Sequence, residues 1–202
     1  MSNTREQLLS TATAQFADRG FYGTSIASIA AGLGLTKQAL LHHFGSKEKL
    51  YAEILSRLSE RALRDLESAR KIPEPEKRLE EAIVLRYLEH VEQNDEARLL
   101  MRELLDNEPR AATAGNWYLK PYLEGLVELL REVPSASKLP KADAFALVYQ
   151  LLGAANYFAV SQPTLKHMFG QRFFRQTEAV FADRLRDTVR HAVAMRSPGP
   201  PP

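Results

Sequence analysis

The sequence predicts an all-α fold, a three-helix N-terminal head joined by a long fourth helix to a larger helical body, on three observations. Long stretches are rich in Ala, Glu, Leu and Arg, which lose little freedom on entering a helix. Apolar residues recur at spacings of three and four, the period of one helix face. Glycines, prolines and capping hydroxyls interrupt these stretches at helical lengths. The composition, 45% hydrophobic and 26% charged, is ordinary for a globular chain, and 202 residues suffice for a small domain and a larger one.

Thr4 followed by Gln7 resembles a capping box, and Leu8, Leu9, Ala12 and Phe16 continue a first helix to about Arg19, ended by Gly20. Thr24 or Ser25 starts a short second helix with Ile26, Ile29 and Ala30 as its apolar positions, and Gly32-Leu33-Gly34 breaks it. Thr36 is a natural cap for a third helix, Lys37 to Phe44. After Gly45, Ser46 caps a fourth, Lys47 to about Arg70. Two prolines in Lys71-Ile72-Pro73-Glu74-Pro75 stop it, since proline removes a backbone donor and restricts its predecessor.

Further helices are expected at about Glu76 to Gln93, Glu96 to Leu105, and Ala111 to Arg131, the last interrupted or restarted near Pro121. The loop Val133 to Pro140 precedes a strongly apolar segment, Phe145 to Val160. Ser161-Gln162-Pro163 and a Gly170-containing connection separate that segment from a last helix of about Arg172 to Ala194. Ser197 to Pro202 reads as a disordered, proline-rich tail. The expected division is 1-50 for the head, 51-195 for the body and 196-202 for the tail.

With no cysteine, disulfides, thiolate zinc sites and thiol catalysis are excluded together. A net charge of +2 permits nucleic-acid binding without arguing for it. No apolar run is long enough to cross a bilayer, and Met1 to Glu6 lacks a signal-peptide pattern, so the expectation is a cytoplasmic protein with no membrane partner. The sequence offers no nucleophile-base-orienter set and no phosphate loop; no enzyme activity and no cofactor are expected. His42 and His43 diverge by about 100° on a helix and do not readily share a metal ion.

The second and third helices meet the demands of a helix-turn-helix. Ala30 is small where the helices approach, Gly34 frees the turn for positive φ, Leu35 plugs beneath it and Thr36 caps the following helix. On a helical wheel Leu40 and Phe44 face inward, whereas Gln38 and His42 face the other way. Lys37, Gln38 and Ala39 lie where an entering recognition helix meets base edges: lysine suits guanine, glutamine adenine, and the alanine methyl a thymine methyl. Thr24, Ser25 and Lys47 fit phosphate contacts at helix starts, and His43 flanks the recognition helix.

The run Phe21-Tyr22-Gly23-Thr24-Ser25-Ile26, Ile29-Ala30-Ala31-Gly32-Leu33-Gly34-Leu35-Thr36 and His42-His43-Phe44-Gly45-Ser46-Lys47-Glu48-Lys49-Leu50 resembles the TetR family of bacterial regulators. The resemblance covers about the first quarter of the chain. It implies an all-helical homodimer with a helix-turn-helix DNA-binding head, a connecting fourth helix and a divergent body that binds an inducer. Leu41 stands where the family usually has a tyrosine that helps hold a phosphate.

Apolar residues wrap around Phe145 to Val160, implying burial on more than one side: against the body and against a partner's equivalent helix, with Arg172 to Ala194 as the second contribution. Core packing alone is the other reading of either helix. Trp117, Tyr118, Tyr122, Tyr149 and Tyr157 offer aromatic walls with polar tips for a small-molecule inducer, and Asn156 or Gln150 a polar group to orient it. The expected function is a ligand-responsive repressor that binds a palindromic double-stranded DNA operator and is released by a small apolar or aromatic molecule. The rival is a helical protein-interaction module that does not use DNA.

Overall fold

The computed structural model describes residues 2–105 and 118–194. Among these residues there are nine α-helices and no strand. They are α1 (Ser2–Gly23), α2 (Ile26–Ala31), α3 (Lys37–Phe44), α4 (Lys47–Arg70), α5 (Pro75–Glu92), α6 (Asn94–Leu105), α7 (Lys120–Glu132), α8 (Lys141–Phe169) and α9 (Gln171–Ala194).

Gly20, at φ 74° and ψ 173°, interrupts α1 where the sequence predicts its end, and one further turn follows. Thr4 lies inside α1 rather than capping it, because the helix already begins at Ser2. Ser25 caps α2: its hydroxyl accepts from Ser28 N–H at 3.0 Å while the Ser28 hydroxyl accepts from Ser25 N–H at 3.3 Å. Ser46 caps α4 by accepting from Lys49 N–H at 3.2 Å. Pro75 and Pro121 open helices, where a missing N–H costs nothing; Pro121 restarts a helix as α7, one of the two courses the sequence allows.

The break expected at Ser161-Gln162-Pro163 is absent. α8 continues through Pro163 to Phe169 and stops at Gly170, whose φ of 80° only glycine adopts readily. Packing outweighs the lost hydrogen bond of Pro163. Phe158, Ala159 and Gln162 are buried, Leu165 packs against the core, and the Lys166 ammonium sits 4.6 Å from the centre of the Phe174 ring. As one 29-residue element, α8 has the length and composition to cross a membrane, which its separate pieces in the sequence reading lack. Its inner residues Ala144, Val148, Leu151, Leu152, Ala155 and Phe158 join the protein core.

The chain divides into two compact units, Met1–Glu60 with Gln93–Tyr118, and Arg61–Glu92 with Leu119–Pro202. In the first, Leu8, Ala12, Phe16, Ile29, Leu40 and Leu50 are fully or almost fully buried. Tyr51 meets Phe16 edge-on at 4.8 Å, and its hydroxyl donates to Glu103 Oε2 at 2.5 Å. Arg102 donates to the carbonyls of Ala17 and Asp18, both at 2.8 Å. These bonds are why α6, distant in sequence, joins α1 in this unit.

The second unit is built on an aromatic stack. Phe158 lies parallel to Phe181 at 3.9 Å, with Phe174 and Tyr87 beside them. Burial pushes the Tyr87 hydroxyl up to about 12, helped by the Glu178 charge. Buried Glu80 on α5 accepts from Arg190 on α9 at 2.7 Å and from Arg186 at 3.2 Å. Its charge is buried only because both arginines reach it.

Candidate functional site

α3 is held from below and capped at both ends. Leu40 and Phe44 are buried on its inner side, as the helical wheel predicts. The Thr36 hydroxyl accepts from Ala39 N–H at 3.2 Å, and Gly45, at φ 80°, returns its N–H to Leu41 O at 2.7 Å. Gly34 takes the turn at φ 67°, and Leu35 N–H bonds to Ala30 O at 2.9 Å, closing the connection from α2. These bonds fix the direction in which α3 presents its outer face.

Lys37, Gln38, His42 and His43 are exposed on that face; Ala39 and Leu41 are half-buried. The rings of His42 and His43 lie 6.1 Å apart. Thr36 is exposed, and its hydroxyl proton remains available to a further acceptor after capping. Ser25 is likewise an exposed cap, at the start of α2.

Two expected phosphate ligands are turned to other work. Thr24 is buried at 2% exposure, and its hydroxyl faces the carbonyls of Gln15 and Gly20 at 3.0 and 2.9 Å. A side chain placed there closes the kink of α1. The Lys47 ammonium donates to Phe21 O and Thr24 O at 3.0 and 3.1 Å and stands 4.2 Å from the centre of the Phe21 ring. It ties the α1–α2 connection to the start of α4. Gln15, unremarked in the sequence, belongs to the same support: its amide donates to Ser28 O at 3.1 Å and its carbonyl accepts from the Ser28 hydroxyl at 2.8 Å.

Within the second unit, the expected inducer residues divide between its surface and its interior. Trp117 lies outside the described residues. Tyr118, in the first unit, is partly exposed and its carbonyl accepts from Ser59. Tyr149 and Tyr157 are exposed at 47% and 71%, and Gln150 is exposed. Tyr122 and Asn156 point inward, into a polar group that the sequence reading missed.

That group comprises Asp65 of α4, Arg86, Glu89 and His90 of α5, Tyr122 of α7 and Asn156 of α8, all in the second unit. Arg86, His90 and Tyr122 are each 4% exposed. The Arg86 guanidinium contacts Glu89 and lies 3.9 Å from Asp65. His90 Nδ1 is 2.7 Å from Asn156 Oδ1. Burial, with the nearby Arg86 charge, drives the His90 imidazole down to about 3, so it is neutral. Burial raises the Glu89 carboxyl against the opposing pull of Arg86, and burial raises the Tyr122 hydroxyl. The sequence does carry a signal: Arg86 and His90 fall on the buried stripe of α5 with Leu79, Ala82, Ile83 and Tyr87, polar groups at core positions.

Residues 8–54 match the model of the bacterial regulatory proteins of the TetR family. The chain is 26% identical over 182 residues to the HTH-type transcriptional regulator RutR of Escherichia coli, a match covering 88% of this chain and 86% of that one. It is 42% identical over 55 residues to the HTH-type transcriptional repressor KstR2 of Mycobacterium tuberculosis, covering 27% of this chain and 28% of that one. The fold resembles that of AibR, solved in complex with isovaleryl coenzyme A and operator DNA, at a TM-score of 0.61 and 24% identity, over 77% of this chain and 85% of AibR. With its capped and anchored α3 inside the matched segment, residues 8–54 are a DNA-binding domain of the TetR family of bacterial regulatory proteins, and the chain is similar over most of its length to a transcriptional regulator that carries one.

Proposed function

We propose that the protein is a repressor that binds a near-palindromic operator as a homodimer and releases it when a small molecule binds the body. The observation that carries the DNA reading is the outer face of α3, where Lys37, Gln38 and His42 stand exposed on a helix fixed by Leu40, Phe44 and its caps. Two such helices, one from each protomer, enter successive major grooves roughly 34 to 36 Å apart. Lys37, Gln38 and Ala39 read base edges, while Thr36, Ser25 and His43 touch the backbone. Occupation of the operator blocks transcription, the role named for KstR2.

The homodimer reading is supported by an apolar face that the described residues leave uncovered. On α8, Phe145, Tyr149, Tyr157 and Met168 are 43% to 71% exposed, opposite the buried side of the same helix; on α9, Phe173 and Val180 add 54% and 50%. A twofold partner that brings the same helices covers that face with its own. Residues 1-50 thus carry DNA binding, and residues 51-195 dimerisation and ligand binding. AibR, bound to both an acyl coenzyme A and operator DNA, supports a ligand-coupled switch. The inducer proposed here has an apolar or aromatic body, to suit the aliphatic and aromatic core of the second unit. By linkage, operator DNA weakens inducer binding by the same factor as inducer weakens operator binding.

Selection of bound duplexes from random DNA, followed by gel shift, tests the reading. The expected product is a palindrome with half-sites one helical turn apart. Gln38→Ala should relax its sequence preference at a cost of about 1–3 kcal/mol. Enrichment of no common sequence would overturn it.

A further inference from the structure

In the second unit, four neighbouring side chains each keep a buried polar atom without a hydrogen-bond partner, Asp65 Oδ2, Arg86 Nε, His90 Nε2 and Tyr122 Oη, with Arg86 facing Asp65 at 3.9 Å and its charge acting on both His90 and Tyr122. They come from three helices, α4, α5 and α7, and Asn156 of α8 orients the imidazole. Closely packed polar side chains normally satisfy one another, and unpaired atoms in such a group lower the stability of the protein that carries them. Arg86, His90 and Tyr122 are each more than nine-tenths buried.

The chemistry of each atom states what it lacks. Asn156 Oδ1 can only accept, so His90 Nδ1 carries the proton and Nε2 presents a lone pair. Asp65 Oδ2 is an acceptor, Arg86 Nε a donor, and the Tyr122 hydroxyl can serve as either. The Arg86 charge already faces two carboxyl groups, Glu89 and Asp65. Whether Glu89 is ionised or protonated, the group has a net charge of zero or below, so no cationic charge is left to hold an anion. One helical turn away on the same faces lie Ala62, Ile83, Leu126 and Leu152, all buried and apolar.

We propose that Asp65, Arg86, His90 and Tyr122 form the head-group subsite for a neutral ligand with two N–H or O–H donors beside one acceptor, a carboxamide-type group on an apolar body. The two donors meet His90 Nε2 and Asp65 Oδ2, the acceptor meets Arg86 Nε, and Tyr122 completes whichever side remains. This deepens the reading of the second unit as the inducer-binding body and rests on it.

The test compares pentanamide with pentanoate, equal in length but opposite in head-group hydrogen bonding, by calorimetry and thermal melting of the full chain. Pentanamide is expected to bind and raise the melting temperature, and pentanoate at least tenfold more weakly. Tyr122→Phe removes an unpaired hydroxyl, so the free protein should melt higher while amide affinity falls at least threefold. Asp65→Asn replaces an acceptor with a donor and removes a negative charge; the amide-to-acid affinity ratio should fall at least tenfold. Equal or tighter binding of pentanoate, or no binding of any amide from acetamide to octanamide, overturns the proposal. So does a Tyr122→Phe protein that melts lower with unchanged amide affinity, which assigns the hydroxyl to buried-water structure. Failure of the regulator reading shows separately, as a wild-type protein that selects no DNA sequence yet still binds the amide.

Discussion

In the first unit, polar side chains near the recognition helix have partners: Thr24 on the carbonyls of Gln15 and Gly20, Ser25 and Ser28 on each other, Lys47 on two carbonyls, Arg102 on two more. In the second unit the opposite holds. Every buried side-chain nitrogen or oxygen without a hydrogen-bond partner, among the described residues, belongs there: Asp65, Arg70, Arg86, His90, Tyr122 and Gln162. Both units bury comparable aliphatic and aromatic cores. The difference teaches that one set of polar groups serves to hold a surface in shape, and the other remains able to form bonds with something else. On the function proposed above, a DNA-binding head needs its geometry settled before DNA arrives, whereas an inducer-binding interior keeps hydrogen bonds for its ligand.

The largest expected effect concerns the shared property of the two units. Phe16 is fully buried against Phe21 and Tyr51, so Phe16→Ala should cost about 3–5 kcal/mol in urea unfolding and abolish DNA binding with it. A smaller loss would mean that the first core tolerates a cavity and is less settled than its hydrogen bonds suggest.

The next prediction turns on acid. His90 titrates at 6.5 when exposed but near 3 in the folded chain, because burial opposes its charge. The unfolded state takes up the proton first. Its contribution to stability is therefore complete above pH 6.5 and is lost as pH falls toward 3, at up to about 1.4 kcal/mol per pH unit. Urea titrations at pH 7, 5.5 and 4.5 should show a shallower decline for His90→Gln than for wild type; parallel declines would show that the imidazole is not buried in its neutral form.

Thr24→Val tests the same contrast from the head. It removes a hydroxyl that two carbonyls use, and should destabilise by about 1–3 kcal/mol. Tyr122→Phe, which also deletes one buried hydroxyl, should have the opposite sign. Equal signs would dissolve the distinction between the units. The smallest effect belongs to the turn: Gly34 has no neighbour that a Cβ would strike, so Gly34→Ala should cost only its backbone strain at positive φ, about 1 kcal/mol, read as a small drop in melting temperature.

The helix-turn-helix was legible because its information is local. Thr36, Gly34 and Gly45 act on backbone within a few residues of themselves, and the inward side of α3 follows from a period of 3.6. The roles of Thr24 and Lys47 were not legible. Each is a polar residue at a helix start, and only the kink at Gly20, which brings the carbonyls of Gln15, Gly20 and Phe21 within reach, makes them internal supports. The course of α8 through Pro163 escaped for a related reason: proline's local preference for ending a helix is modest beside the burial of Phe158, Gln162 and Leu165.

The sequence by itself determined the helical class, the helix ends set by caps and glycines, the exposed face of α3, and the apolar surplus on α8. All of these are fixed by residues within one or two turns of each other. Tertiary structure alone decided that α6 joins α1, that Tyr149 and Tyr157 face outward while Tyr122 faces inward, and that Asp65, Arg86, His90, Tyr122 and Asn156 share one interior. Those residues span ninety-two positions, 65 to 156, and no local preference of any one of them specifies the others. They meet because four helices bury apolar faces together, and the polar groups on those faces are carried inward with them.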